Sequence, residues 1–149
     1  MSIFDRLLQE TDKWMKFIDL YGKQRNLKNA KKYLIKWDKP SRSKFQTQVK
    51  KFLRRYWEND IVFEEFRVVG TRLTLDFYNA NKKIAVEVQG AQHTKFVKFF
   101  HKNRFKYREQ LKRDEKKLDF CNSNDIKLAE VYPEDKIVAS LFKKQDVYL

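Results

Sequence analysis

With 149 residues and a net charge of +14, the chain is about one domain's worth of a strongly basic protein, long enough to bury roughly two-thirds of its extended surface. Such an excess of charge points to a polyanionic partner. A lone cysteine, Cys121, excludes an internal disulfide, cannot build a zinc site with two scattered histidines and fits a reducing compartment. No apolar run has the length of a membrane span.

Taken in chain order, Ser2 with Asp5 resembles a capping box. Ile3, Phe4, Leu7, Leu8, Trp14, Met15, Phe17 and Ile18 then recur at helical spacing up to Gly22, predicting a first helix. The opening Met1 to Asp5 lacks the basic-then-apolar order of a secretion signal, so a cytoplasmic location is expected. A second short helix is predicted over Leu27 to Trp37, ended by Pro40. Ser43 caps a third, with Phe45, Val49, Phe52, Leu53 and Tyr56 inward and Lys50, Lys51, Arg54 and Arg55 outward.

After Asn59-Asp60 the period becomes that of strands. Ile61 to Val69 is the first, followed by a turn at Gly70-Thr71. Arg72 to Tyr78 and Lys83 to Gln89 then form a hairpin about Asn79 to Lys82. Leu73, Leu75 and Phe77 share one face of this hairpin, as do Ile84, Val86 and Val88. Any register joining those rows puts Thr74, Asp76, Ala85, Glu87 and Gln89 together on the other face. Asp76 and Glu87 become direct or diagonal neighbours within roughly 5–8 Å. Two carboxylates so placed repel unless a cation lies between them, and hard oxygen ligands suit Mg²⁺ or Mn²⁺; an ordinary solvated hairpin face is the competing explanation.

Gln92 to Asn103, rich in Lys and Phe, reads as a long loop or broken helix. Phe105 to Cys121 reads as a helix with Leu111 and Leu118 inward and Cys121 buried, and Asn122 to Asp125 as a turn. Ile126 to Tyr132 is a further strand, and Pro133-Glu134 starts a last helix carrying Ile137, Val138, Leu141 and Phe142. The order predicts an α+β, or mixed α/β, fold: an antiparallel three-strand meander, then a helix crossing over to a parallel strand, all preceded by N-terminal helices. A single domain is expected, divided into a basic helical part (1–57), a core (58–133) and a C-terminal helix (134–149).

The basic charge is concentrated. Lys23 to Arg55 holds thirteen Lys and Arg against one acid, and Lys95 to Lys117 ten against three. Lys44, Lys50, Lys51, Arg54, Arg55, Arg72, Lys95, Lys98, Lys102 and Arg104 are the candidate contacts to a nucleic-acid backbone. Aromatic residues interleave both stretches, and at helical spacing they are read first as packing.

Asp76-Phe77, then Glu87-Val88-Gln89-Gly90-Ala91-Gln92-His93, then Arg113-Asp114 and Lys117 ahead of the final strand, resemble the PD-(D/E)XK nucleases. The likeness, over about Ser43 to Tyr132, is nearest the very-short-patch-repair-like branch with its phage or intron-borne homing endonucleases. It implies a restriction-endonuclease-like core and Mg²⁺ (or Mn²⁺) held by Asp76 and Glu87 to hydrolyse phosphodiesters of double-stranded DNA. Gln92 and His93 would orient or deprotonate the attacking water. Gln89 stands where that family usually has Lys; its amide can orient a water or bind metal through oxygen but cannot carry a charge, which makes Lys117 the candidate replacement cation. Gln46 stands where a helix Glu is common. Glu64 or Glu65 could supply that acid, and Asp114, three residues before Lys117, is a further candidate or a plain surface ion-pair partner. One metal site cuts one strand per visit, so a double-strand break implies a homodimer. Restriction and mismatch-repair roles remain alternatives of the same fold. From other classes come a nucleic-acid-binding module that has lost catalysis and an RNA-binding or ribosome-associated protein.

Overall fold

The computed structural model describes residues 15–90 and 104–149. Four strands form the central sheet in the order β3-β4-β5-β6: β3 (Val62–Arg67), β4 (Thr74–Asn79), β5 (Ile84–Val88) and β6 (Lys127–Val131). The first three make the expected antiparallel meander. β6 pairs parallel to β5 after the crossover through a long helix, α2 (Arg104–Ser123), so the fold is α+β with a mixed sheet. No helix among the described residues is long and apolar enough to cross a membrane.

Both faces of the sheet are covered. Phe77, Ile84, Val86, Ala129 and Val131 pack against Val49, Leu53 and Trp57 of α1 (Lys44–Trp57) and Phe142 of α3 (Ala139–Lys143). On the opposite face Phe63, Phe66, Tyr78 and Ala85 pack with Phe17 and with Phe120 and Cys121 of α2. Cys121 is fully buried, as expected, and desolvation pushes its thiol up to about 12.

The N-terminal helices are where the sequence reading fails. Lys16–Ile18 is a strand, β1, paired antiparallel with β2 (Gln24–Asn26), and Phe17 alone of its three residues points inward, with its ring 5.7 Å from Phe66 and 5.6 Å from Phe120. Gly22, expected to stop a helix, sits at φ 81 in the turn between these strands. Asp19 closes that turn, its Oδ1 accepting from the backbone N–H groups of Tyr21 and Lys23, each at 2.9 Å. The part of the first predicted helix before residue 15 lies outside the described residues. Over Leu27 to Trp37 only one 3-10 turn forms, Ala30–Tyr33, after which Leu34 bridges to Phe63 and Ile35 N–H donates to Val62 O at 3.0 Å. Pairing with the outer edge of β3 satisfies this backbone better than further helix would, and it covers an exposed strand edge.

The alternation of β3 and β4 also breaks. Glu65 adopts φ 52, and the rung that would join it to Asp76 is missing from an otherwise constant register. Phe63 and Phe66 therefore share a face despite odd spacing, and Leu75 and Phe77, expected together, pack in different clusters. The last helix also starts late, at Ala139 instead of near Pro133.

Candidate active site

The register Phe77↔Val86 and Tyr78↔Ala85, continued one rung, sets Asp76 opposite Glu87. Both side chains are buried, and each bonds to the other's strand: Val88 N–H donates to Asp76 Oδ2 at 2.7 Å, and Asp76 N–H donates to Glu87 Oε2 at 3.3 Å. The two carboxyl groups meet where β4 and β5 stop bonding to each other. Glu87 is held well above the usual carboxylate range, first by burial and then by the neighbouring Asp76 carboxyl, while Lys117 opposes that shift.

Lys117 comes from α2, its Nζ 2.7 Å from Glu87 Oε1. That oxygen is buried, and the ion pair lacks the alignment of a hydrogen bond. Asp114, one turn earlier, accepts from Gln110 Nε2 at 2.9 Å, so the surface ion pair allowed by its spacing from Lys117 is replaced by two separate contacts. Gln110, Arg113, Asp114 and Lys117 line one cleft with Arg42, Arg72, Asp76, Glu87 and Gln89. The stripe of α2 that faces the sheet is thus polar until it reaches Phe120 and Cys121, and Leu111 and Leu118, expected inward, are half exposed.

Gln89 is buried on the same edge. Its backbone N–H donates to Val131 O at 2.8 Å, and its amide lies 3.4 Å from Glu130 Oε1. Glu130 also accepts from the Tyr132 hydroxyl at 2.9 Å; burial and this contact push that phenol up to about 12. His93 and Gln92 lie outside the described residues, as do Lys95, Lys98 and Lys102.

The choice between Glu64 and Glu65 does not follow alternation. The turn of backbone at Glu65 lets Gln46 Nε2 reach both, at 3.0 Å from Glu64 Oε2 and 3.0 Å from Glu65 Oε1. Glu64 is enclosed: Lys50 Nζ sits 2.9 Å from its Oε1 and the Ser41 hydroxyl donates to Oε2. Lys50 is therefore buried at 2% exposure, not directed outward, and drops out of the candidate backbone contacts. Glu65 faces the cleft side, where Arg42 stands 3.7 Å from its Oε1 and 3.6 Å from Asp76 Oδ1. Lys44, Lys51, Arg55, Arg72 and Arg104 are exposed. Arg54 is partly engaged with Asp38 and Glu58.

Arg42, Gln110 and Glu130 were not picked out as site residues by the sequence reading. The signal for Gln110 was present: with Asp114, Lys117 and Cys121 it follows the three- and four-residue spacing of one helix face. Arg42 had none, since it lies in a loop and approaches Asp76 only through the folding of α1 onto β3.

Among the described residues no three His, Cys, Asp or Glu side chains form a ready cage for a metal. Asp76 and Glu87 nevertheless fit a hard divalent cation, which commonly takes one or two carboxylates and fills its other positions with water and phosphate. The misaligned Glu87 Oε1 and the mutual repulsion of the two acids are what such an ion would relieve.

No family model matches the chain, and no solved structure matches it. Parts of three viral proteins are similar. Uncharacterized protein 307L of Invertebrate iridescent virus 6 is 44% identical over 73 residues, 48% of this chain and 37% of that protein. Uncharacterized protein 033L of Invertebrate iridescent virus 3 is 38% identical over 64 residues, covering 43% and 33%. Uncharacterized protein 094L of Frog virus 3 is 44% identical over 63 residues, covering 42% and 41%. The matched segment thus spans about a third to two-fifths of each relative.

Proposed function

We propose that the chain is a metal-dependent endodeoxyribonuclease of the PD-(D/E)XK type, a homing-type endonuclease in the first instance, with restriction or repair roles as alternatives. The observation that carries this reading is the opposition of two buried carboxylates, Asp76 and Glu87, across β4 and β5, with a lysine ammonium 2.7 Å from the second. A bound Mg²⁺ or Mn²⁺ ion supplies Lewis acidity toward a phosphodiester and a more acidic water. Asp76 and Glu87 would hold it in the cleft they line. Hydrolysis joins a water oxygen to phosphorus, breaks the bond from phosphorus to one deoxyribose oxygen, and passes a proton to that leaving oxygen.

Lys117, 2.7 Å from Glu87 Oε1, would supply the positive charge that Gln89 cannot. With Glu87 engaged by a metal, the Lys117 ammonium would be available to stabilise the extra negative charge on phosphate or to orient the attacking water. Gln89 holds the edge of β5 to β6 and orients polar neighbours without moving a proton. Exposed Lys44, Lys51, Arg55, Arg72 and Arg104 would bind the phosphate backbone, which gives affinity without sequence preference.

The test is nicking of supercoiled plasmid in Mg²⁺ or Mn²⁺ by wild type beside D76A. We expect D76A to lose at least about a hundredfold in rate while keeping its far-UV CD spectrum, since an essential ligand is removed. Nicking that survives D76A would exclude this site. The second reading, a DNA-binding module without catalysis, is favoured by the amides of Gln46 and Gln89, which are both engaged by neighbouring carboxylates. It requires binding to duplex DNA with no cleavage in either metal.

A further inference from the structure

Arg42 occupies an unusual position for a surface arginine. Its Nη2 lies 3.6 Å from Asp76 Oδ1 and 3.7 Å from Glu65 Oε1, beyond the usual reach of a hydrogen bond. It is an ion pair with both acids and tightly bonded to neither. The side chain is 71% exposed, whereas the Asp76 carboxyl beside it is 7% exposed. One face of the guanidinium therefore balances buried charge and the rest is open to the cleft that Asp76, Glu87 and Lys117 line.

The backbone on either side of Arg42 is fixed. Lys50 Nζ donates to Lys39 O at 2.7 Å, Ser41 N–H donates to Thr47 Oγ1 at 2.9 Å, and Ser43 Oγ accepts from Gln46 N–H at 3.1 Å as the α1 cap. Between these anchors the Arg42 side chain can turn without moving the loop. A planar guanidinium also has donors that match two phosphate oxygens at once.

We propose that Arg42 is an exchangeable counter-ion: it balances Asp76 and Glu65 while no divalent ion is bound, and turns to a phosphate oxygen when one is. The inference rests on the nuclease reading of the same cleft. A divalent ion on Asp76 both outcompetes and repels a guanidinium 3.6 Å away, so the residue that weakens metal uptake in the free protein becomes a substrate contact in the complex. Coupling of this kind makes productive metal binding depend on DNA.

The experiment measures Mn²⁺ binding by electron paramagnetic resonance on DNA-free wild type, R42A, R42K and D76A, and duplex binding in Ca²⁺ by anisotropy. R42A is expected to bind Mn²⁺ roughly three- to tenfold more tightly than wild type, the range of a partly exposed ion pair, and to bind the duplex several-fold more weakly. R42K retains the charge without the fork and lies between the two. If D76A abolishes Mn²⁺ uptake but R42A leaves it unchanged or weaker, Arg42 has no such role although the metal site stands. If R42A tightens Mn²⁺ with duplex affinity unchanged, the transfer to phosphate is wrong. Absence of Mn²⁺ uptake by wild type and R42A alike, with and without duplex, overturns this inference and the nuclease reading together.

Discussion

Two charged clusters lie on neighbouring parts of the sheet and are built in opposite ways. Around Glu64 every acceptor is used: Lys50, Gln46 and Ser41 close on it, and Lys50 spends a further donor on the carbonyl of Lys39. Around Glu87 a carboxylate faces a second carboxylate, one oxygen lacks an aligned donor, and the nearest cation sits at the rim of an open cleft. The first arrangement is what a buried charge needs in order to be structural. The second retains electrostatic strain that a ligand can relieve, which is why the cleft, and not the better-connected cluster, is the place to look for chemistry.

Breaking each cluster should therefore move stability in opposite directions. The largest effect is expected from K50M, which strands Glu64 in the interior; it should lose about 3–5 kcal/mol in urea unfolding, and adding E64Q should recover much of that. A K50M variant as stable as wild type would show that the enclosed cluster does not hold α1 to the sheet.

E87Q should do the reverse. Because the folded-state pKa of Glu87 lies above its unfolded value of 4.5, the folded chain binds this proton more tightly, and stability falls as pH rises from 4.5 toward the folded pKa. Glutamine removes the charge and with it that loss. Its melting temperature should exceed that of wild type at about pH 8, by about 2–4 °C for each kcal/mol recovered, and match it at about pH 4. A gain that is equal at both pH values would mean that charge is not the cause.

The smallest effect on stability belongs to the outer face of α1. Lys51→Ala or Arg55→Ala should leave unfolding unchanged and, in DNA titrations over a series of salt concentrations, lower the salt slope by about one each. An unchanged slope would remove that face from the binding surface.

What could be read from the sequence followed from local rules. The Ser43 cap, the meander and the parallel return of β6 rest on spacing and turn residues within short windows, and they formed where expected. Asp76 and Glu87 lie opposite each other, as expected, because strand register is rigid. The failures came where tertiary contacts outweigh local pattern. Met15 to Ile18 has helical spacing, yet Phe17 gains more from the aromatic cluster of Phe66, Tyr78 and Phe120 when the segment is extended. Lys50 was assigned to solvent by charge alone, since nothing local announces a buried Glu64 fourteen residues on. Leu111 and Leu118 were assigned inward by hydrophobicity, although the face of α2 turned to the sheet is the one that needs polar groups.

Lys50 also has a mechanical consequence. Its ammonium ties the middle of α1 both to β3 and to the loop that carries Arg42, so helix, loop and strand share one buried anchor. A substitution at that single anchor should therefore loosen the Arg42 loop together with α1.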